Sequence, residues 1–443
     1  MQTRPSLAVV AAVVFAMFIT RPVRAAGEFE PPVRLEADGK VIDTGAEWGH
    51  SSPAVFDVDG DKLDDLIVGD FSGKFRIYKN VGKADAPKYT AGELLKAGGV
   101  PAEVNIYCCI GAQPRFHDLD GDGVRDMLSN SYDPGHAYLF RGMPGNQFAA
   151  REELLDVAGV PIRSSPVQQQ KHQSFGSFFE AVDWDADGDL DLLIGCFGGD
   201  LRLRINEGSA RSPRFAAQNV EVKLASGEPL KVKAHHCPVV ADWDADGLWD
   251  IVSGSDDGSV TLFRNVGDKA APKFADGQTL VKPHDGNGYN IVRWNGDAVV
   301  PGIRAQPEVV DFNRDGKLDL LVGDFYTEYD FKPNLTEAQK KQVKDLIATA
   351  QSGGNAFKAK MDAMQEDFRT RYPGDEIYSD KANKEWSQAY RALRESPEAK
   401  QMEADEKKFA DKLRPFVVST RGTGEDNSDF AKSHGHVWLF IRK

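Results

Sequence analysis

Asp183-Trp184-Asp185-Ala186-Asp187-Gly188-Asp189-Leu190-Asp191 runs directly into Leu192-Leu193-Ile194-Gly195, an acidic turn set against an apolar strand. Side-chain oxygens stand at positions 1, 3, 5 and 9 of the turn. The unit recurs four more times, at Asp57-Val58-Asp59-Gly60-Asp61 with Asp65, Asp118-Leu119-Asp120-Gly121-Asp122 with Asp126, Asp242-Trp243-Asp244-Ala245-Asp246 with Asp250, and Asp311-Phe312-Asn313-Arg314-Asp315 with Asp319. Successive starts are 61, 65, 59 and 69 residues apart. Self-similarity at a fixed spacing is the mark of a repeat architecture.

Each copy carries strands around its turn. An apolar run precedes it, as in Pro53-Ala54-Val55-Phe56. A second run follows, and then an alternating third, as in Phe75-Arg76-Ile77-Tyr78 and Val260-Thr261-Leu262-Phe263. A Pro-x-aromatic step (Pro87 to Tyr89, Pro213 to Phe215, Pro272 to Phe274) opens a fourth. Three to four short strands in each repeat make a propeller blade. The expected fold is all-β, a propeller of five blades over residues 26–334. His436-Val437-Trp438-Leu439-Phe440-Ile441 matches a third strand and Phe29 to Val33 a fourth, so 416–443 should return to the last blade and let the N-terminal strand close the ring, removing its open edges. Residues 335–415 break the rhythm. Thr336 with Gln339 makes a capping box. Apolar stripes at Val343, Leu346, Ile347 and Ala350, at Phe357, Met361, Met364 and Phe368, and at Trp386, Tyr390 and Leu393 predict an α-helical insertion in the last blade.

Alternate oxygens in a tight turn suit Ca²⁺, which takes about six to eight hard oxygen ligands. The expected ligands are Asp57, Asp59, Asp61 and Asp65; Asp118, Asp120, Asp122 and Asp126; Asp183, Asp185, Asp187 and Asp191; Asp242, Asp244, Asp246 and Asp250; and Asp311, Asn313, Asp315 and Asp319. Glycine at position 4 or 6 lets the backbone turn sharply. The expectation is about five structural Ca²⁺ ions. Carboxylates packed this closely repel one another without a cation.

The chain has 443 residues and a net charge of −14, which argues against nucleic-acid binding. Arg4, an apolar run from Leu7 to Ile19 and Val23-Arg24-Ala25 read as a secretory signal over 1–25, cut after Ala25, giving a secreted or periplasmic protein. No later stretch is apolar enough to span a membrane. The cut removes Arg4, Arg21 and Arg24 and no acidic residue, taking the charge from −14 to about −17. Cys108 or Cys109 can pair with Cys196 or Cys237, or all four can stand as buried thiols.

These turns and strands resemble the FG-GAP/VCBS repeat family, which includes integrin α-subunit propellers. The resemblance covers roughly 28–330 and 434–443. It implies a propeller with structural calcium. Integrin propellers are described with a larger ring, so five blades depart from them. The family hosts adhesion proteins, sugar-active enzymes and others, so the resemblance fixes no activity.

Aligning the repeats on the first Asp picks out the channel-side positions. Seven residues upstream stand His50, Gly111, Gly176, His235 and Arg304. Five upstream stand Ser52, Gln113, Phe178, Cys237 and Gln306. From these, with His236 beside them, His50, Gln113, His235, His236, Arg304 and Gln306 are the candidate ligand residues. Three upstream stand Ala54, Arg115, Glu180, Val239 and Glu308, where Arg115 with either Glu would make a buried structural pair. His172 and Trp294 are candidates to line a mouth. The expected function is an extracytoplasmic module that binds a protein or glycan. The alternative is a carbohydrate-active lyase or hydrolase at the channel mouth, for which Glu180 and Glu308 are the carboxylates available. There is no nucleophile elbow, phosphate-binding glycine loop or His-x-x-His run.

Overall fold

The computed structural model describes residues 28–104, 110–132, 134–164, 176–284, 291–296, 298–352, 356–372, 379–419 and 430–443. The expected signal segment 1–25, Cys108, Cys109 and His172 lie outside the described residues.

Four sheets follow one plan, each strand antiparallel to the last. They are Ser52–Phe56, Asp65–Gly69, Phe75–Tyr78 and Glu93–Leu94; Pro114–His117, Asp126–Ser129, Tyr138–Phe140 and Glu152–Glu153; Phe178–Val182, Asp191–Gly195, Leu201–Arg204 and Val220–Glu221; and Cys237–Ala241, Asp250–Gly254, Val260–Phe263 and Gln278–Val281. A fifth is assembled from both ends of the chain: Ile303–Val310 pairs with Asp319–Tyr329, that with Val437–Phe440, and that with Val33–Arg34. The opening strands of the five sheets touch in order, and Ile303–Val310 touches Ser52–Phe56, which closes the circle in a propeller-like arrangement.

The side-chain period of two explains why this circle holds. In the second strand of the first sheet, Ile67 faces the second sheet, in a core with Phe75, Phe116, Met127 and Phe140. Its neighbours Leu66 and Val68 face the fifth sheet and meet Leu321, Val437 and Leu439. Equivalent cores fill the remaining junctions. Because both faces are covered, these strands read as continuous apolar runs rather than alternating ones. The glycine ending three of the second strands has its own cause. A Cβ at Gly69 would lie 1.9 Å from the Ala112 carbonyl oxygen, and one at Gly195 would lie 1.8 Å from that of His236. The blades approach through backbone there.

The last second strand, Asp319–Tyr329, overruns its sheet and carries the helical insertion. Its helices are α1 (Glu337–Ser352), α2 (Ala356–Arg371), α3 (Asp380–Arg394) and α4 (Pro397–Leu413). Thr336 and Gln339 cap α1 reciprocally, and Ser379 and Ser396 cap α3 and α4. Val343 and Ile347 of α1 pack with Ala410 and Leu413 of α4 on Tyr329, Val417 and Phe430, so that end of the insertion is fastened to the blade. Among the described residues no helix is long and apolar enough to cross a membrane.

Candidate functional site

Alternate residues of the five opening strands point toward the axis, so the site is built in layers. In the middle layer, Ala54, Arg115, Glu180, Val239 and Glu308 line a cavity of about 370 Å³, together with His117 and Arg125. Arg115 is 3% exposed and joins both carboxylates. Its Nη1 donates to Glu308 Oε2 at 2.9 Å and its Nη2 to the Pro307 carbonyl at 2.8 Å. Its Nε lies 3.2 Å from Glu180 Oε2, close enough for ion pairing but not aligned for a hydrogen bond. His117 Nε2 sits 2.5 Å from Glu180 Oε1. The rest of the lining includes apolar side chains, from Ala54, Val55, Val239, Val240 and Val309, with Ala54 and Val239 set between the charged positions around the ring.

This network splits the two carboxyls. Burial alone would raise both. At Glu308 burial dominates, Arg115 offsets it only in part, and the carboxyl is pushed up to about 7. At Glu180 burial is outweighed by His117, Arg115 and the Ala181 amide, which hold the carboxyl below its ordinary value.

The next layer holds Gln113, whose Nε2 donates to Cys237 Sγ at 2.9 Å, with Phe178 packed against Cys237. Ser52 Oγ and Gln306 Oε1 are buried there without a hydrogen-bond partner among the described residues. Cys196 and Cys237 form no disulfide among the described residues; burial raises their thiols to about 11 and about 12.

The outer layer gathers His50, His235 and Arg304. Arg304 Nη1 donates to His50 Nε2 at 3.0 Å. His50 lies between Phe71 and Phe325, with centroids 5.0 and 4.2 Å away, and His235 lies 4.1 Å from Phe197. Burial, with the charge of Arg304, drives His50 well below its ordinary value and His235 down to about 3, so both are neutral in physiological conditions. All three residues adopt left-handed backbone, with φ of 60°, 52° and 58°. Glycine would adopt that conformation without strain, as Gly176 does at the equivalent position.

Two of the expected site residues are placed elsewhere. His236 is turned away from the axis, its Nδ1 2.9 Å from the Gly199 carbonyl and its Nε2 2.8 Å from Ser253 Oγ, holding two blades together. It is one residue out of the channel column, and one step along a strand reverses the face. Trp294 stacks on Phe331 at 4.4 Å under Lys344 of α1, far from a channel role. His117 and Arg125 were missed. His117 lies two residues beyond Arg115 on the same strand face, so the alternation that found Arg115 could have found it.

The acidic turns close as their spacing suggests. The carboxylates of Asp57, Asp59 and Asp61 converge within 4.8 Å, as do Asp118, Asp120 and Asp122, Asp183, Asp185 and Asp187, and Asp242, Asp244 and Asp246. Positions 4 and 6 are left-handed in all five turns, including at Ala186, Ala245, Arg314 and Lys62. The ninth-position carboxylates stand outside these groups of three and have a further task. Asp191, for example, accepts from the Trp184 amide at 3.0 Å and from the Asn206 amide at 2.7 Å, tying turn to third strand. Asp65, Asp126, Asp250 and Asp319 do the same. Buried oxygens of Asp118, Asp120, Asp183 and Asp244 have no hydrogen-bond partner among the described residues, as expected of groups shaped for a cation. Asp189, which is buried, brings a further carboxylate to the third turn, raised to about 6 by burial and by Asp187, Asp185 and Asp183.

No protein-family model and no curated protein matches the chain. Among solved structures it is similar to an Agrocybe aegerita lectin that recognises non-reducing terminal N-acetylglucosamine, at 18% identity over 62% of each chain and a TM-score of 0.31, so it spans less than two thirds of that lectin. It is also similar to a GH62 hydrolase solved with xylotriose, at 11% identity over 70% of this chain and 93% of that one, TM-score 0.41. A third similarity is to the β-fructofuranosidase of Schwanniomyces occidentalis, at 11% identity over 71% and 62%, TM-score 0.33.

Proposed function

We infer that this chain is an exported, calcium-loaded, five-bladed β-propeller that binds a neutral glycan in its axial cavity. The observation that carries the reading is the cavity's make-up. It holds about 370 Å³, enough for a sugar unit, with Arg115, Glu180 and Glu308 interspersed with the apolar side chains of Ala54 and Val239. The charges are already compensated, because Arg115 pairs with both Glu180 and Glu308. Fixed carboxylates and a guanidinium can exchange hydrogen bonds with sugar hydroxyls, while the alanine and valine side chains between them can meet the C–H groups of the ring. A strongly charged ligand would disturb the internal balance. Calcium would be held chiefly by the first, third and fifth side chains, which converge in four of the acidic turns, with Asp189 adding to the third. Each ion supplies the positive charge that lets its turn close, and its task is structural.

A glycan array followed by calorimetry tests this. Binding by the intact protein and its loss in Val239→Trp, which fills the cavity from an apolar position, are expected. Binding that survives this substitution, or a protein ligand in place of a glycan, refutes the assignment. A second reading rests on one observation, the opposed proton affinities of Glu180 and Glu308, which a glycoside hydrolase uses as base and acid. Release of reducing ends by the intact protein but not by Glu180→Gln would favour it; binding without turnover excludes it.

A further inference from the structure

Away from the axis, at the seam where the two ends of the chain meet, two imidazoles converge on one carboxylate. Asp43 lies just beyond the N-terminal strand, and His434-Gly435-His436 lies where the chain re-enters the last blade. His434 Nδ1 is 2.7 Å from Asp43 Oδ2. His436 Nδ1 is 3.9 Å from Asp43 Oδ1 and 2.9 Å from the Ile42 carbonyl oxygen. One donor atom from each of the three side chains falls within 4.8 Å of the others. We propose that Asp43, His434 and His436, with the Ile42 carbonyl, form a transition-metal site that pins the N-terminal segment to the C-terminal strand.

The donor chemistry separates this site from the acidic turns. Two imidazole nitrogens with a carboxylate suit Zn²⁺, Co²⁺, Ni²⁺ or Cu²⁺, whereas a set of oxygens alone suits Ca²⁺. The surroundings of His436 fit such an ion, while His434 Nε2 is buried without a hydrogen-bond partner among the described residues. A metal-ligating imidazole carries its remaining proton on the other nitrogen and needs an acceptor for it. The Tyr326 hydroxyl lies 3.0 Å from His436 Nε2 and can take that bond. The Tyr326 ring also stacks on His434 at 5.1 Å and fixes its plane. Glu328 is near enough to His434 to act on it electrostatically, and Lys432 is paired with Asp330. A cavity of about 430 Å³ opens beside Asp43 and His434, giving an ion a way in and room for water in its remaining positions.

The test uses the untagged full-length secreted protein in buffer saturated with Ca²⁺, which occupies the acidic turns. Zn²⁺ is titrated by calorimetry, and Co²⁺ serves as a visible-absorption probe. One equivalent of Zn²⁺ should bind, Co²⁺ should give the ligand-field bands of a nitrogen- and oxygen-bound ion, and amide exchange in residues 33–44 should slow on binding. His434→Ala, at a partly exposed position, should keep its fold and calcium content but lose Zn²⁺ affinity by about a hundredfold or more, since replacing even an outer partner of a ligand costs about 10- to 100-fold. Asp43→Asn should weaken binding in the same direction. Failure of the intact protein to take up Zn²⁺ overturns the proposal, and so does unchanged affinity in His434→Ala. If His434→Ala does not fold, the Co²⁺ spectrum and amide exchange of the unsubstituted protein decide alone: no bands or no slowing refutes the site.

Discussion

Replacing Glu308 by Gln should change how stability depends on pH, and the structure fixes both sign and size. The Glu308 carboxyl is held at about 7 against an ordinary value of 4.5, chiefly because it is buried. A group raised on folding binds its proton more tightly in the folded state. Its contribution to stability is therefore complete below pH 4.5 and is lost as pH rises through 7. At about 1.4 kcal/mol for each pH unit, that contribution is roughly 3 kcal/mol, of which about 2–3 kcal/mol disappears between pH 5 and pH 8. Gln keeps the shape and a hydrogen-bond acceptor for Arg115 but cannot ionise. The stability of Glu308→Gln relative to the unsubstituted protein should thus rise by about 2–3 kcal/mol over that interval.

Urea unfolding at four pH values, with Ca²⁺ saturating throughout, measures this difference and cancels the titration of the acidic turns. Glu180→Gln is the control. Glu180 is fully enclosed and held ionised by His117 and Arg115. Removing its charge leaves a buried guanidinium with one partner fewer, at a cost of about 3 kcal/mol or more at neutral pH. Parallel pH profiles for Glu308→Gln and the unsubstituted protein would refute the reasoning. So would a Glu180→Gln variant that gains stability with rising pH in the same way.

Chelation should lower the melting temperature well beyond a matched salt control, because an ion bound only by the folded state adds stability; no metal in the purified protein and no shift with Ca²⁺ would contradict it. Asp187→Ala should lose more calcium and more stability than Asp64→Ala, since Asp64 is half exposed and pairs with Arg314 outside the group of converging carboxylates; equal losses in a metal assay and thermal melt would contradict the ligand assignment. Gly195→Ala should destabilise by about 2 kcal/mol or more as an overpacked contact, because its Cβ would sit 1.8 Å from the His236 carbonyl oxygen; an unchanged urea midpoint would count against the close approach of the blades. Replacing 335–415 by a short Gly/Ser linker should leave the ring folded, since Asp319–Tyr329 and Val437–Phe440 are paired neighbours and closing a loop depends weakly on its length; collapse of the β-sheet circular dichroism would show the insertion to be part of the core.

The parts of this molecule legible in its sequence are those that every blade must share. The turn spacing follows from convergence of alternate side chains, the apolar run from burial on both faces, and the terminal glycine from backbone contact between blades. Each constraint recurs, so one chain supplies its own comparison. What occurs once was harder to read. Aligning the repeats set Arg115 in one layer with Glu180 and Glu308, but not that it would join both at once, with Glu308 193 residues away. His236 stands next to the channel residue His235, yet a single step along the strand sends it between the blades. Closure of the ring by the two chain ends was legible from the strand patterns, but the meeting of Asp43 with His434 at that seam was not, because 391 residues separate them.

That contrast also bears on where function resides. Between blades, every position is bound by the shape of the next blade, which leaves little freedom for side-chain chemistry. At the axis-facing positions the repeats diverge: Ala54, Arg115, Glu180, Val239 and Glu308 occupy one layer, and His50, Gly111, Gly176, His235 and Arg304 another. Divergence alone would be idle variation if these side chains were exposed. They are not: Arg115, Glu180, His50 and His235 are buried, and the histidines hold a left-handed backbone that glycine would adopt more easily. Strain and buried charge kept at the positions with the greatest freedom to avoid them point to the axis as the working part of the molecule.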